Sequence, residues 1–279
     1  MNLAALIADL STTRLQASPL SWPEAVPPDL ATANAAALGV RAQRISQGEV
    51  PAGYKVGFTN RNIWPRYGVY APIWGTVWQS SLSFCDPPDA QGRQAGVLSL
   101  DGLCEPRIEP EIVFGLGLAP PPACTLEQLA ACVKWVAHGF EIVHTHFPGW
   151  KFTAAQAVAD AGLHGRLLVG QPVLLPGGFD ALLLAQSLST LRLKLYVDGV
   201  FKEEGVGANA LDGPLQALLH FVQAIRATPE APELKPGDIV TTGTLTDAWP
   251  VQPGEIWHTQ IESSGVVAAQ LRGVTVRFE

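Results

Sequence analysis

The stretch RIEPEIVFGLG, from Arg107 to Gly117, sets two carboxylates two positions apart in an otherwise apolar run. In an extended chain successive side chains alternate faces, so Glu109 and Glu111 share one face while Ile108, Ile112 and Phe114 take the other. Like charges side by side repel, and in a partly buried setting a cation or a shared proton must compensate. Pro110 between them cannot donate to a ladder, which predicts an edge or bulged position where side chains can be re-aimed toward a site. The pair alone fits a solvated strand face equally well. Glu141 adds a third carboxylate in the apolar GFEIV run, where an unpaired glutamate is uncommon. Three carboxylates with little positive charge nearby in sequence suit a hard divalent cation, most naturally Mg2+.

Lys55, in GYKVGFT, has two readings. It is either an edge lysine whose ammonium reaches water, or an ammonium facing an enclosed site, where desolvation would lower its pKa for proton transfer and its charge could hold a substrate carboxylate. Other motifs carry less. GVGANA, Gly205 to Ala210, fits a dinucleotide fingerprint, but charged residues precede it and Asp212-Gly213-Pro214 interrupts the helix it requires. His144 and His146 share the strand face opposite Glu141, and read as polar, satisfied histidines rather than partners in its cation. His164 in GLHGR has no nucleophile elbow nearby. Trp64, Trp74, Trp78 and Trp150 read mainly as core.

The elements that must position these groups follow from patterning. With 279 residues, 47% hydrophobic and 15% charged, the chain can bury a sizeable core. A formal charge of −7 with no basic cluster gives a nucleic-acid surface little support. The four cysteines show no C-x-x-C pair and no finger-spaced histidine, predicting reduced thiols rather than a zinc site or disulfides. The first residues lack a basic leader and no long uncharged apolar run occurs, so no membrane association is expected and the cytoplasm is the default address. Residues 1 to about 50 read as helical, with a Pro-rich break at SPLSWPEAVPPD. Short β-branched or aromatic strands dominate afterwards. Two helices are expected among them, one in LEQLAACVKWVAHG behind the Thr125–Gln128 capping box and ended by Gly139, the other in GPLQALLHFVQAI. Strands in runs predict an α+β fold with a mixed or antiparallel sheet system. The helical segment is assigned to residues 1–53 and the main domain to 54–279.

In order and spacing, YKVGFT, RIEPEIVFGLG, FEIV, KFTAAQAVADAGLHGRLLVG, GVGANALDGPLQAL and LKPGDIVTTGTLT together resemble the 2-keto-4-pentenoate hydratase and 4-oxalocrotonate decarboxylase family, within the fumarylacetoacetate hydrolase-like superfamily. The resemblance runs from about Asp29 to Gly273. It implies a mixed β-sheet roll behind a helical N-terminal segment, and Mg2+ or Mn2+ held by carboxylates that map onto Glu109, Glu111 and Glu141. The active-site lysine maps onto Lys55, and Lys151, Thr242 and Gly243 fall where substrate contacts are expected. The implied substrate is a small 2-oxo acid of aromatic meta-cleavage catabolism, and the implied reaction is hydration. Decarboxylation of a 4-oxalocrotonate-type acid stands as the alternative, with a metal-binding but inactive partner subunit as another and acylpyruvate hydrolysis as a third. A homo-oligomer and a complex with a pathway partner are expected from the resemblance alone. The chain departs from the pattern at Ser80, where an acidic residue is usual, at His144, Thr145 and His146 in place of D-S-R, and at Ala161 in place of the asparagine of A-D-N.

Overall fold

The computed structural model describes residues 3–20, 27, 29–61 and 64–279. Two helices lead, α1 (Leu3–Gln16) and α2 (Leu30–Ser46), the second capped by Asp29, whose carboxylate accepts the Thr32 N–H at 2.7 Å. Most of the Pro-rich break between them lies outside the described residues. The strands then follow: β1 (Pro51–Gly57), β2 (Ile73–Trp78), β3 (Leu82–Phe84), β4 (Gln94–Leu98), β5 (Arg107–Leu116), β6 (Val133–Val143) and β7 (His164–Val169). After them come β8 (Val173–Leu174), β9 (Arg192–Val197), β10 (Val200–Val206), β11 (Ile239–Thr244), β12 (Trp249–Pro250), β13 (Ile256–Glu262) and β14 (Val274–Phe278). Pro51, Ala52 and Gly53 already belong to β1, so the sheet begins inside the segment assigned to helices.

One nine-stranded mixed sheet runs β2-β1-β11-β5-β6-β7-β3, with β12 attached to β5 and β8 to β6. A second sheet runs β10-β9-β13-β14-β4. The architecture is the expected α+β roll with its helical N-terminal segment. Period-two alternation sorts the first sheet's faces. Tyr54, Val56, Ile108, Ile112, Phe114, Phe140 and Ile142 enter the main core, which the second sheet and the helix Pro214–Ala227 complete. Lys55, Glu109, Glu111 and Glu141 therefore point to the other face, floored by Val77, Val113, Ala137 and Leu167. Buried His138 ties the layers together, contacting the Glu111 carbonyl at 2.9 Å and the Thr259 hydroxyl on β13 at 2.8 Å. Helices α1 and α2 pack with Ile73, Val143, Phe147 and the short helix Ala154–Ala159.

Two expectations need correction. The capping box at Thr125 and Gln128 forms, but the helix it starts covers only Leu126–Ala130, and Val133 to Val143 is one long strand. Val133, Trp135 and Val136 suit a pleated surface, and the backbone hydrogen bonds to β5 outweigh the weak intrinsic preference for helix. The second concerns Pro110, which is not at an edge, since β5 is flanked by β11 and β6. The irregularity lies in its neighbour: the β11 register shifts between Thr241 and Thr244, opposite Glu111. GVGANA starts no helix, being the end of β10 and a single 3-10 turn at Gly207–Asn209.

Candidate metal centre

The ladder between β5 and β6 sets Glu109 directly across from Glu141, and Glu111 across from Gly139. Carboxylate oxygens of Glu109, Glu111 and Glu141 lie within 4.8 Å of one another. On β1, Lys55 reaches in from the side, with Nζ 3.2 Å from Glu141 Oε2. Lys55, Glu111 and Glu141 are buried, and Glu109 is half-buried. Three carboxylates against one ammonium leave two negative charges in a largely buried setting, a balance that one dication restores.

The side chains around this group aim their oxygens. Glu111 Oε2 accepts the Gly243 N–H at 2.6 Å and the Thr241 hydroxyl, while Oε1 is buried without a hydrogen bond. Glu141 Oε1 accepts from His164 Nδ1 at 2.8 Å, and Oε2, apart from its ion pair with Lys55, has no hydrogen bond. Buried carboxylate oxygens normally have partners. One oxygen without any hydrogen bond on Glu111, and one on Glu141 held only by the Lys55 ion pair, fit a hard cation such as Mg2+.

Burial alone would lower the Lys55 ammonium, but Glu141, Glu109 and Glu111 raise it above the ordinary lysine value, the reverse of the expected direction. Burial pushes Glu111 well above the carboxylate range, helped by Glu141 and Glu109. Burial also lifts Glu109, to about 7, with Lys55 pulling down and Glu141 pushing up. A carboxyl whose folded pKa is raised stabilises the fold fully below its ordinary value, and that contribution fades as pH climbs through the folded value. For Glu109 the window is 4.5 to about 7. Without divalent cations the melting temperature should therefore fall across this window. Because binding needs the charged form, Mg2+ affinity should instead rise through it with release of protons, which calorimetry in buffers of different ionisation enthalpy would record.

A cavity of about 230 Å3 opens beside the carboxylates. Lys55, Glu109 and Gly243 line it, with Thr59, Asn60, Arg107, Trp150 and Phe152 on its walls. Of the expected substrate contacts, Gly243 is placed here and two are not. Lys151 is exposed, its extended backbone sending Trp150 and Phe152 inward and its own side chain outward. Thr242 is buried, its hydroxyl donating to the Ile112 carbonyl at 2.8 Å on the far side of the strand. Thr241 and His164, which sequence patterning does not single out as site residues, contact Glu111 and Glu141 directly. His164 also reaches the Ser81 hydroxyl at 2.8 Å through Nε2. Ser80 and His144 line a different cavity, of about 260 Å3, on the other side of His164.

Gly243 shows why the sequence folds this way locally. Its φ is +97°, and a Cβ there would sit 2.0 Å from the Thr59 hydroxyl. Gly243→Ala should cost roughly 1–3 kcal/mol from backbone strain alone, and should weaken metal binding by moving the amide that holds Glu111. Thermal melts with and without Mg2+ would separate the two effects.

A mixed-sheet roll carrying three clustered carboxylates on one face defines the class, a sheet scaffold with a candidate cation centre. Comparison with known proteins gives the family: the fumarylacetoacetate (FAA) hydrolase C-terminal family matches residues 72–272, and the chain belongs to it. A 4-oxalocrotonate decarboxylase from Pseudomonas sp. is 26% identical over 235 residues, covering 83% of each chain. The 2-keto-4-pentenoate hydratase of Paraburkholderia xenovorans (strain LB400) is 27% identical over 229 residues, covering 82% of this chain and 78% of the relative. Among solved structures, 4-oxalocrotonate decarboxylase from Pseudomonas putida G7, complexed with magnesium and adipate, superposes with a TM-score of 0.82 at 23% identity, covering 99% of this chain and 97% of that one. At that identity the likeness is one of fold. No helix among the described residues is long and apolar enough to cross a membrane.

Proposed function

We propose that this chain is a divalent-metal-dependent lyase that adds water to a 2-hydroxydienoate or 2-oxo-enoate, a 2-keto-4-pentenoate hydratase-like activity. The observation that carries the reading is the buried Glu111 Oε1, which has no hydrogen bond, beside a Glu141 Oε2 whose one partner is the Lys55 ammonium, next to an open cavity. Glu109, Glu111 and Glu141 would hold Mg2+ or Mn2+, which supplies Lewis acidity to a chelating carboxylate and 2-oxygen. Glu111 is held for this by Thr241 and Gly243, and Glu141 by His164. Lys55 orients the substrate carboxylate with its charge and moves protons at the adjacent carbon. Trp150 and Phe152 cover the hydrocarbon part and exclude bulk water from it.

A second reading, decarboxylation of a 4-oxalocrotonate-type diacid, is favoured by Arg107. Its guanidinium lies 4.2 Å from the centre of the Trp150 ring on the cavity wall and brings positive charge toward the distal end of a bound substrate. One assay separates the two. The protein with Mg2+ is incubated with 2-hydroxypenta-2,4-dienoate and with 4-oxalocrotonate, following loss of ultraviolet absorbance and carbon dioxide release. Consumption of the first substrate without gas is the expected result. Gas from the second without turnover of the first reverses the ranking, and Mg2+ binding without turnover of either leaves an inactive partner subunit.

A further inference from the structure

The departures from the family pattern at His144 and His146 assemble into something of their own. Both residues follow the end of β6, and both are buried, together with Cys104. Donor atoms of Cys104, His144 and His146 lie within 4.8 Å of one another. The two rings meet edge to face with centroids 4.8 Å apart. Spacing along the chain gave no hint of this, because the thiol lies 40 positions before the first imidazole and no second cysteine is involved.

The hydrogen bonds fix which lone pairs are open. His146 Nδ1 contacts Asp160 Oδ1 at 2.7 Å, and since that carboxylate is ion-paired with Arg14 at 2.8 Å and accepts the His146 backbone N–H, the ring nitrogen donates. His146 Nε2 is then an acceptor, buried and without a partner. The expectation of a satisfied histidine fails at that atom. His144 Nδ1 accepts the Cys104 backbone N–H at 3.3 Å, the long end of hydrogen-bond range, a bond that an ion taking this nitrogen would displace. Each donor sits on fixed backbone. The Thr145 N–H donates to the Cys104 carbonyl at 3.1 Å, the His144 N–H to the Leu163 carbonyl at 2.9 Å, and the His146 N–H to Asp160 Oδ2 at 3.0 Å.

We propose that Cys104, His144 and His146 form a second metal site, separate from the three carboxylates, that takes a zinc-class transition-metal ion, with Asp160 as the positioning residue behind His146. One thiolate and two imidazoles are a donor set for Zn2+, Co2+ or Cu+ and not for Mg2+, which prefers oxygen. A carboxylate on the far nitrogen of a ligating histidine is the usual arrangement that fixes its tautomer and raises its basicity. Three protein donors leave a fourth position for water or an anion. His144 lines the cavity of about 260 Å3, which gives that position an outlet and the ion a way in. Arg14, Arg44 and Arg166 on the same wall favour an anion there. Binding releases the Cys104 thiol proton to solvent.

Co2+ titration of the purified full chain, with Mg2+ in excess to fill the carboxylate centre, tests this directly. The expected result is one equivalent of Co2+ with a thiolate-to-cobalt charge-transfer band in the near ultraviolet and a tetrahedral visible spectrum, both displaced by Zn2+. Cys104→Ser should abolish the charge-transfer band, and His146→Gln should abolish stoichiometric binding. Glu111→Gln, which disables the other centre, should leave both signals in place. Asp160→Asn should keep the band and weaken affinity roughly 10–100-fold. Absence of the band at saturating Co2+, or its survival in Cys104→Ser through Cys85, Cys124 or Cys132, overturns the proposal. If Cys104→Ser does not fold, loss or retention of the band in His146→Gln decides.

Discussion

Glu141→Gln should abolish turnover and weaken Mg2+ binding by roughly 3–5 kcal/mol, about 150- to 4,000-fold. Two terms oppose each other. Removing one of three mutually repelling carboxylates relieves the metal-free protein, because Glu109 and Glu111 are both pushed up by Glu141. Against this, Lys55 loses its ion-pair partner, and His164 faces an amide instead of a carboxylate. With the ion bound, the loss of a charged donor at a buried position dominates, since among the described residues only Glu109 and Glu111 share this cluster with Glu141. Calorimetric titration with Mg2+ reads the affinity, and circular dichroism checks that the strands persist. Wild-type affinity in a folded Glu141→Gln protein would exclude the carboxylate centre as the metal site.

Lys55→Met should leave Mg2+ affinity within a few-fold of normal and slow turnover by roughly 10²-fold or more, the scale of a general acid–base group. Methionine keeps the length and the apolar stem of lysine and removes the ammonium. The charge of the site becomes more negative by one, which favours the dication and offsets the loss of Lys55 as a brace for Glu141. Turnover has no such offset, because among the described residues no lysine or arginine besides Lys55 pairs with Glu141, and burial keeps the neighbouring His164 below its ordinary pKa. Steady-state assays on 2-hydroxypenta-2,4-dienoate would place the loss in kcat rather than KM if Lys55 moves the proton. A loss in KM alone would make it a binding residue only.

How far the sequence disclosed this molecule depends on the distance over which each feature is decided. The facing of Glu109 and Glu111 is local and was readable from alternation, as was the helix Pro214–Ala227. The meeting of Glu109 with Glu141 is set by a ladder between strands and is not written in either segment; the resemblance to known sequences supplied it. The residues 126 to 138 show the opposite failure, where a true local signal, the capping box, started a helix of one turn that tertiary pairing then stopped. Nothing in TTGT tells which threonine hydroxyl faces inward. The bulge opposite Glu111 decides it, turning Thr241 and the Gly243 amide toward the carboxylate and Thr242 away. Cysteine spacing along the chain carries no sign of the meeting of Cys104 with His144 and His146, which the fold makes across 40 positions.

The ladder of β5 and β6 has its single irregularity at Gly115 and Leu116, and from there back to Glu109 the pairing is residue for residue. Side chains change face with every step, so one residue deleted or inserted between Val133 and Phe140 would turn Glu141 into the apolar core and bring a hydrocarbon side chain to the acidic face. The same frameshift at the exposed Asp89–Gly92 turn would disturb only a loop. Engineered length variants of this chain should therefore be confined to such turns, and the interval from Val133 to Glu141 kept at constant length.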